Sequence, residues 1–282
     1  MDHHVQSWAF DVITGERALE TTGGKTWDAA RKLCKFLEAN WASLPMKSPT
    51  RVLELGSGTG WLGMTLARNL SDQRSTVSAS SVLLTEQPGG GAIEWLEHNL
   101  EQNRANGLPL DAVRIKPFDW AEIHAVDHQG TLPELLEVEV GGLDLLIGSD
   151  LVYNVAGVAL LPKVFRFFAD ASPSTIILYA HTLHRFDAMD IDFCQALRDN
   201  GLAYRALAGE DCHNASESAS LDPLNGHGYL EELFAEHRVV VFQIAISDSS
   251  RSPSFLPWSS ALSGEAFASQ LRVDQSPDPD SP

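Results

Sequence analysis

The sequence predicts an α/β fold: a seven-stranded, Rossmann-like sheet with helices on both faces, preceded by a short N-terminal β-hairpin. Three observations predict it. Val52, Leu53 and Leu55 form a short apolar run that meets glycines at alternate positions, Gly56, Gly58 and Gly60, and passes at once into a helical pattern. Strand, glycine turn and helix is how nucleotide-binding sheets open. Apolar runs of strand length then alternate with helical periodicities through the rest of the chain. Finally, the stretches Leu202 to Leu207 and Arg238 to Ile246 are joined by a loop, which suits a closing pair of strands better than the sixth parallel strand of a dinucleotide-binding sheet.

Taken in order, Val5 to Thr22 alternates and contains Thr14-Gly15, a turn signal, and this predicts the hairpin. Thr26 stands where it can cap a helix beginning at Trp27, in which Ala29, Ala30, Leu33, Leu37 and Trp41 make one buried stripe. Trp61 to Leu70 reads as the first core helix and Ser81 to Glu86 as the second strand. Gly89, Gly90 and Gly91 then loosen the approach to a helix from Ala92 to Asn106, with Ile93, Leu96 and Leu100 toward the sheet. Further strands are expected at Ala112 to Ile115, Leu143 to Ile147 and Ser174 to Ala180, with helices at Ala156 to Ala169 and Asp187 to Asn200. Ala121 to Gly142 reads as surface decoration with a short helix, and Gly209 to Gly228 as a polar insertion tied to substrate choice. The expected organisation is an extension over 1–24, one domain over 25–246, and a Ser-, Pro- and Asp-rich tail over 247–282 that is disordered or loosely docked.

With 282 residues, 44% of them hydrophobic, the chain can bury a full core. Its net charge is −18, and little of that comes from the tail, where five acids face Arg251 and Arg272. Such a field repels phosphate backbones, disfavouring nucleic acid, and suits a basic partner such as a protein presenting a lysine in a basic surface. Cys34, Cys194 and Cys212 lack metal-type spacing and read as free thiols in a reducing compartment. His3 and His4 read as exposed residues and not as a metal site. The first residues do not resemble a signal peptide, and no apolar run reaches the roughly 18 to 20 residues that span a bilayer. These features predict a protein of the cytoplasm, or of the nucleus as well, with no membrane partner.

The ligand is read from charge. Gly58, Gly60 and Gly63 satisfy G-x-G-x-x-G, yet Glu54 lies two residues before the first glycine and the loop holds no Lys or Arg to offset it. A pyrophosphate would be repelled there; S-adenosylmethionine, with a cationic α-amino group and a sulfonium, would be drawn in. Acids recur where later strands end. Glu86 is a candidate acceptor for ribose hydroxyls, Asp119 beside Trp120 for an adenine amine and ring, and Asp150 is followed three residues later by Tyr153. Trp27 is a candidate aromatic lid. His181 and His184 follow the fifth strand and read as surface or supporting residues, and Asn214-Ala-Ser216 as an unmodified loop.

In five pieces taken in this order the chain resembles the seven-strand S-adenosylmethionine-dependent protein lysine methyltransferases called methyltransferase family sixteen. The pieces are TWDAA (Thr26–Ala30), VLELGSGTGWLG (Val52–Gly63), LLTEQP (Leu83–Pro88), FDW (Phe118–Trp120) and LIGSDLVYN (Leu146–Asn154). The resemblance implies a methyltransferase sheet whose cofactor contacts are Trp27, the backbone of Gly56, Ser57 and Gly58, Glu86, Trp120 and Ser149. It also matches Asp150 and Tyr153 to the acidic-x-x-aromatic motif that receives the acceptor. Two departures stand out: Glu86 replaces the usual aspartate, and the three glycines after it are an insertion. The implied activity is methylation of a lysine amine on a protein, with Asp150 orienting the amine and Tyr153 packing on its stem. A small-molecule or protein-histidine N-methyltransferase, or a non-catalytic cofactor-binding adaptor, remains the alternative on the same fold.

Overall fold

The computed structural model describes residues 7–71, 78–123, 142–183, 189–207, 239–247, 252–256 and 262–263. The predicted short apolar runs assemble into one mixed sheet in the order β3-β2-β1-β4-β5-β7-β6-β8. The strands are β1 (Thr50–Leu55), β2 (Ala79–Glu86), β3 (Val113–Pro117), β4 (Leu145–Ser149), β5 (Ile176–Thr182), β6 (Leu202–Leu207), β7 (Val239–Ile246) and β8 (Leu262–Ser263). Neighbours among β1 to β5 run parallel, whereas β7 lies antiparallel between β5 and β6. The closing pair of strands expected from the sequence is therefore present, with β7 inserted beside β5.

Both faces of the sheet are covered. One carries α1 (Asp28–Asn40), α2 (Trp61–Leu70) and α3 (Ala92–Ala105), and the other α4 (Val155–Ala171) and α5 (Met189–Asp199). Side chains alternate along each central strand, so Leu145 and Ile147 enter the first core while Leu146 enters the second. Strands buried on both faces need apolar residues at nearly every position, which is why β4 and β5 read as continuous runs. The stripe foreseen on α1 is buried, and Cys34 and Phe36 join it.

The N-terminal hairpin does not form. Among the described residues from 7 to 19 there is no strand; this segment lies as an extended strap. Its main-chain groups are taken by side chains of the helices beneath. Asn69 brackets Ala9, accepting from its N–H at 2.7 Å and donating to its carbonyl at 2.9 Å, and Asn103 brackets Ile13 in the same way at 2.8 and 2.6 Å. Glu38 accepts from Trp8 N. An amide side chain offers the same donor and acceptor as a neighbouring strand, so two asparagines replace a ladder. Gly15, expected as a turn, instead lets the strap pass close against the ring of Trp95. Thr26 does not cap α1 either: its hydroxyl lies 2.7 Å from that of Thr59 and 3.2 Å from that of Thr14, and Trp27 takes the cap position without a side-chain bond.

Part of the tail also meets the sheet. Leu256 N donates to Gln243, Phe255 lies under the guanidinium of Arg205, and β8 pairs antiparallel with β6. The expected surface helix near Leu132 to Leu136, the 209–228 insertion, His3, His4, His184, Cys212 and the Asn214 motif lie outside the described residues. No described helix is long and apolar enough to cross a membrane.

Candidate active site

The sheet reverses its strand order between β1 and β4, and a cleft opens there at the carboxyl ends of the strands. Of the residues read from the sequence as cofactor or acceptor contacts, all line it except Gly60. Gly60 instead starts α2 in a left-handed conformation (φ +80°), in contact with Leu96 and Met64. Its role is to turn the chain into the helix.

One half of the cleft is built by the turn from β1 into α2. Gly56 has φ +54°, and a Cβ there would run into the side chain of Leu151, so the position requires glycine twice over. Glu54, only 2% exposed, lies beneath the turn and accepts from Gly63 N at 3.1 Å. This close approach depends on Gly63 lacking a side chain. Burial pushes the Glu54 carboxyl up to about 8, against the pull of its hydrogen bonds and with a small added push from Glu86.

Glu86 ends β2 and reaches across to accept from Gly58 N at 2.8 Å, while its other oxygen accepts from Gln87 N at 2.9 Å. Burial raises its pKa as well, opposed by those two bonds. Ser57 N is bonded to Thr85 O at 2.8 Å. The amides of Ser57, Gly58 and Gly63 are thus all directed at the protein's own oxygens. A phosphate cradle needs such amides turned outward.

Aromatic walls flank the carboxylates. Phe118 is buried, Trp120 half-buried, and Asp119 between them accepts from Ala121 N at 2.9 Å, which pins the short turn carrying Trp120. Trp27 stands on the opposite side, donating its indole N–H to Thr22 O, with Lys25 Nζ 4.2 Å from its ring centre. Four carboxylates, Glu54, Glu86, Asp119 and Asp150, face this cleft against one lysine, Lys25, among the described lining residues.

The other half lies where β4 passes into α4. Ser149 ends β4 and lines the cleft. Asp150, 8% exposed, adopts φ +52°, a left-handed conformation uncommon outside glycine, asparagine and aspartate. Its N–H donates to Ala180 O, and its carboxylate accepts from Thr182 N at 2.8 Å and Thr182 Oγ1 at 2.9 Å. The side chain is fixed to β5 while still bordering the cleft. Tyr153 is half-buried on the same wall, and Asn154 caps α4 through Gly157 N at 2.8 Å.

A family model described as lysine methyltransferase matches residues 10–200. The chain belongs to the lysine methyltransferase family. Relatives include the protein-lysine N-methyltransferase EFM3 of Chaetomium thermophilum, 32% identical over 57% of this chain and 43% of that protein. The protein N-lysine methyltransferase METTL21A of Danio rerio is 33% identical over 45% of this chain and 46% of its own. The protein-lysine N-methyltransferase EFM6 of Saccharomyces cerevisiae is 27% identical over 58% and 65%. These matches span less than half of the first two relatives' lengths and about two thirds of the third's. Among solved structures, the human methyltransferase 10 domain containing protein superposes with a TM-score of 0.45 at 11% identity, over 84% of this chain and 89% of that one.

Within this lysine methyltransferase fold several residues escape a reading of the sequence. Thr21, Thr22 and Gly23, at the short 3-10 turn Thr22–Gly24 that follows the strap, line the cleft, and Gly23 lies against Gly58. Nothing in their residue types signals this. Phe118 was visible only as part of the FDW motif. His181, expected at the surface or in a supporting place, is 3% exposed. No group of described residues has the makeup of a metal site.

Proposed function

We propose that the protein transfers a methyl group from S-adenosylmethionine to a lysine side-chain amine on a protein substrate. One observation carries the reading of the donor: the cleft presents four acidic side chains, with Glu54 poised to give up its proton to an arriving cation, while the amides of Ser57, Gly58 and Gly63 are already bonded internally. That pattern receives a cation and turns away a pyrophosphate. Glu54 suits the α-amino group, Glu86 the ribose, and Asp119 with Phe118 and Trp120 the adenine, while Trp27, Gly56, Ser57, Gly58 and Ser149 supply walls and floor. When bound, S-adenosylmethionine supplies an electrophilic methyl carbon on a sulfonium.

The residues of the chain then have one main task, to hold an amine lone pair in line behind that carbon. A lysine ammonium must first lose a proton, and water at the cleft mouth accepts it. Asp150 draws the ammonium in and orients it, with its carboxylate held in place by the two bonds from Thr182. Tyr153 packs its ring on the methylene stem and on the cationic product. The family supports a lysine acceptor, and the net charge of −18 fits a basic protein surface around it.

The test is incubation of the purified protein with cell extract and heavy-methyl donor, followed by mass spectrometry of peptides. A heavy methyl on lysine is the expected result. Label confined to histidine or to small molecules would replace the acceptor, and donor binding without any label would leave an adaptor.

A further inference from the structure

Behind the Asp150–Tyr153 wall runs a file of buried polar groups that the proposed reaction does not touch. Tyr179, fully buried on β5, accepts through Oη from two successive main-chain amides, Leu151 N at 3.0 Å and Val152 N at 3.3 Å. The same oxygen lies 3.2 Å from His181 Nδ1, and His181 Nε2 lies 2.7 Å from Asp190 Oδ1. Both His181 and Asp190 are 3% exposed, and Asp190 sits in the first turn of α5. Phe193 of α5 lies against both rings, at 5.5 Å from Tyr179 and 6.0 Å from His181, and Phe165 of α4 covers Tyr179 from the other side at 5.7 Å.

Only one assignment of protons uses every donor. The two amides can only donate, so Tyr179 Oη receives both and has a single proton to give. Burial, with Asp150 as the next cause, holds that phenol protonated. Its proton goes to His181 Nδ1, which must then be bare, and the imidazole proton sits on Nε2 and goes to Asp190. A proton on Nδ1 would face an oxygen already receiving two N–H groups. The phenolic proton would then have no acceptor among the described residues, which is costly in a site sleeved by phenylalanines.

We propose that Asp190, His181 and Tyr179 form a one-directional positioning relay that fixes the main chain of Leu151 and Val152, and through it the acceptor side of the cleft. The proposal rests on the methyltransferase reading for its kinetic part alone. Its reach into the cleft is direct: Leu151 lies over Gly56 of the donor side, and the residues flanking the held amides are Asp150 and Tyr153. β5 serves the same loop three times over, through Tyr179 Oη, Ala180 O and Thr182. All three relay residues are positioning residues, since none lines the cleft.

Two substitutions separate polarity from packing. Asp190→Asn keeps shape, but its amide can donate to Nε2 and favour the Nδ1–H tautomer, as an asparagine does when it replaces the aspartate of a catalytic triad. His181→Gln alters shape, but its oxygen can accept from Tyr179 while its amide donates to Asp190. The readouts are hydrogen exchange at the Leu151 and Val152 amides, kcat, and the KM for S-adenosylmethionine. In Asp190→Asn, exchange should quicken and kcat fall, each about tenfold or more, with the donor KM within about twofold of wild type. Tyr179→Phe should match or exceed it, and His181→Gln should be the mildest. Wild-type exchange in Asp190→Asn, quickened exchange with unchanged kcat, or greater damage from His181→Gln than from Asp190→Asn would each overturn the relay. Should the wild-type protein methylate nothing, the functional reading fails while the exchange rates still decide whether the relay exists.

Discussion

The two halves of the cleft are built by opposite means. The half proposed to take the methyl donor is mainly local and made largely of main chain: β1, its glycine turn and α2 lie within twenty-one residues, and two carboxyl groups hold the turn by its amides. The half proposed to take the acceptor rests on side chains brought from afar. Leu151 and Val152 are held by Tyr179, 28 and 27 residues away, and Asp150 by Thr182, 32 residues away. A turn defined by glycines accepts few substitutions. A loop suspended from a neighbouring strand can be re-aimed by changing the strand, so under the proposed reading the acceptor side is the easier of the two to alter.

That contrast can be broken in four ways. The largest effect is expected from Asp150→Ala, which removes the field at the acceptor and the clasp to Thr182 together. Methyl transfer should fall by about a thousandfold, while S-adenosylhomocysteine binding, read by calorimetry, stays within about twofold. Full activity in this variant would remove Asp150 from the site.

Next comes Glu54, whose pKa is raised from 4.5 unfolded to about 8 folded. Between these values the folded protein holds a proton that the unfolded chain has lost, so stability must decline as pH climbs from about 4.5 to about 8 and level off above. Glu54→Gln should flatten this slope, by a few kcal/mol on the order of magnitude, in denaturant titrations run across that window. A cation bound beside Glu54 should expel the same proton. Binding of S-adenosylhomocysteine at pH 7 should then show a heat that varies with the buffer's ionisation enthalpy in wild type but not in Glu54→Gln.

Gly63→Ala sharpens the local half, because its new methyl would press on the Glu54 carboxylate and on Leu84. A loss of about 2 kcal/mol in the denaturant midpoint is expected, with weakened donor binding. The smallest effect, about 1 kcal/mol, belongs to Asn103→Ala, which frees Ile13 of the strap. It should appear as faster proteolysis of the first twenty-odd residues before any change in the melting temperature is large.

The same contrast explains what could be read in advance. Strand, glycines and helix at Val52 to Leu70 are a local pattern, and the acids at Glu86, Asp119 and Asp150 stand at or just past strand ends, where a parallel sheet opens its cleft. Those were legible. The strap was misread because alternation and a Thr-Gly pair look like a hairpin, whereas its true partners, Asn69 and Asn103, are single amides inside helical stretches with no signature of their own. The relay was illegible for a related reason. Tyr179 and His181 stand two apart in a strand that otherwise reads as apolar, which places both on one face, but their meeting with Asp190 depends on how α5 docks. A tyrosine and a histidine at alternate positions of a buried strand are the one hint the chain offers.

One modest element bears on how this protein should be handled. Leu262 and Ser263 lie beside β6, the outermost long strand of the sheet. A chain shortened at residue 247 would uncover the edge of β6 at Arg205 and Ala206, inviting pairing with the same edge on a second molecule. Sheet-to-sheet association in such a shortened preparation would report a missing cover.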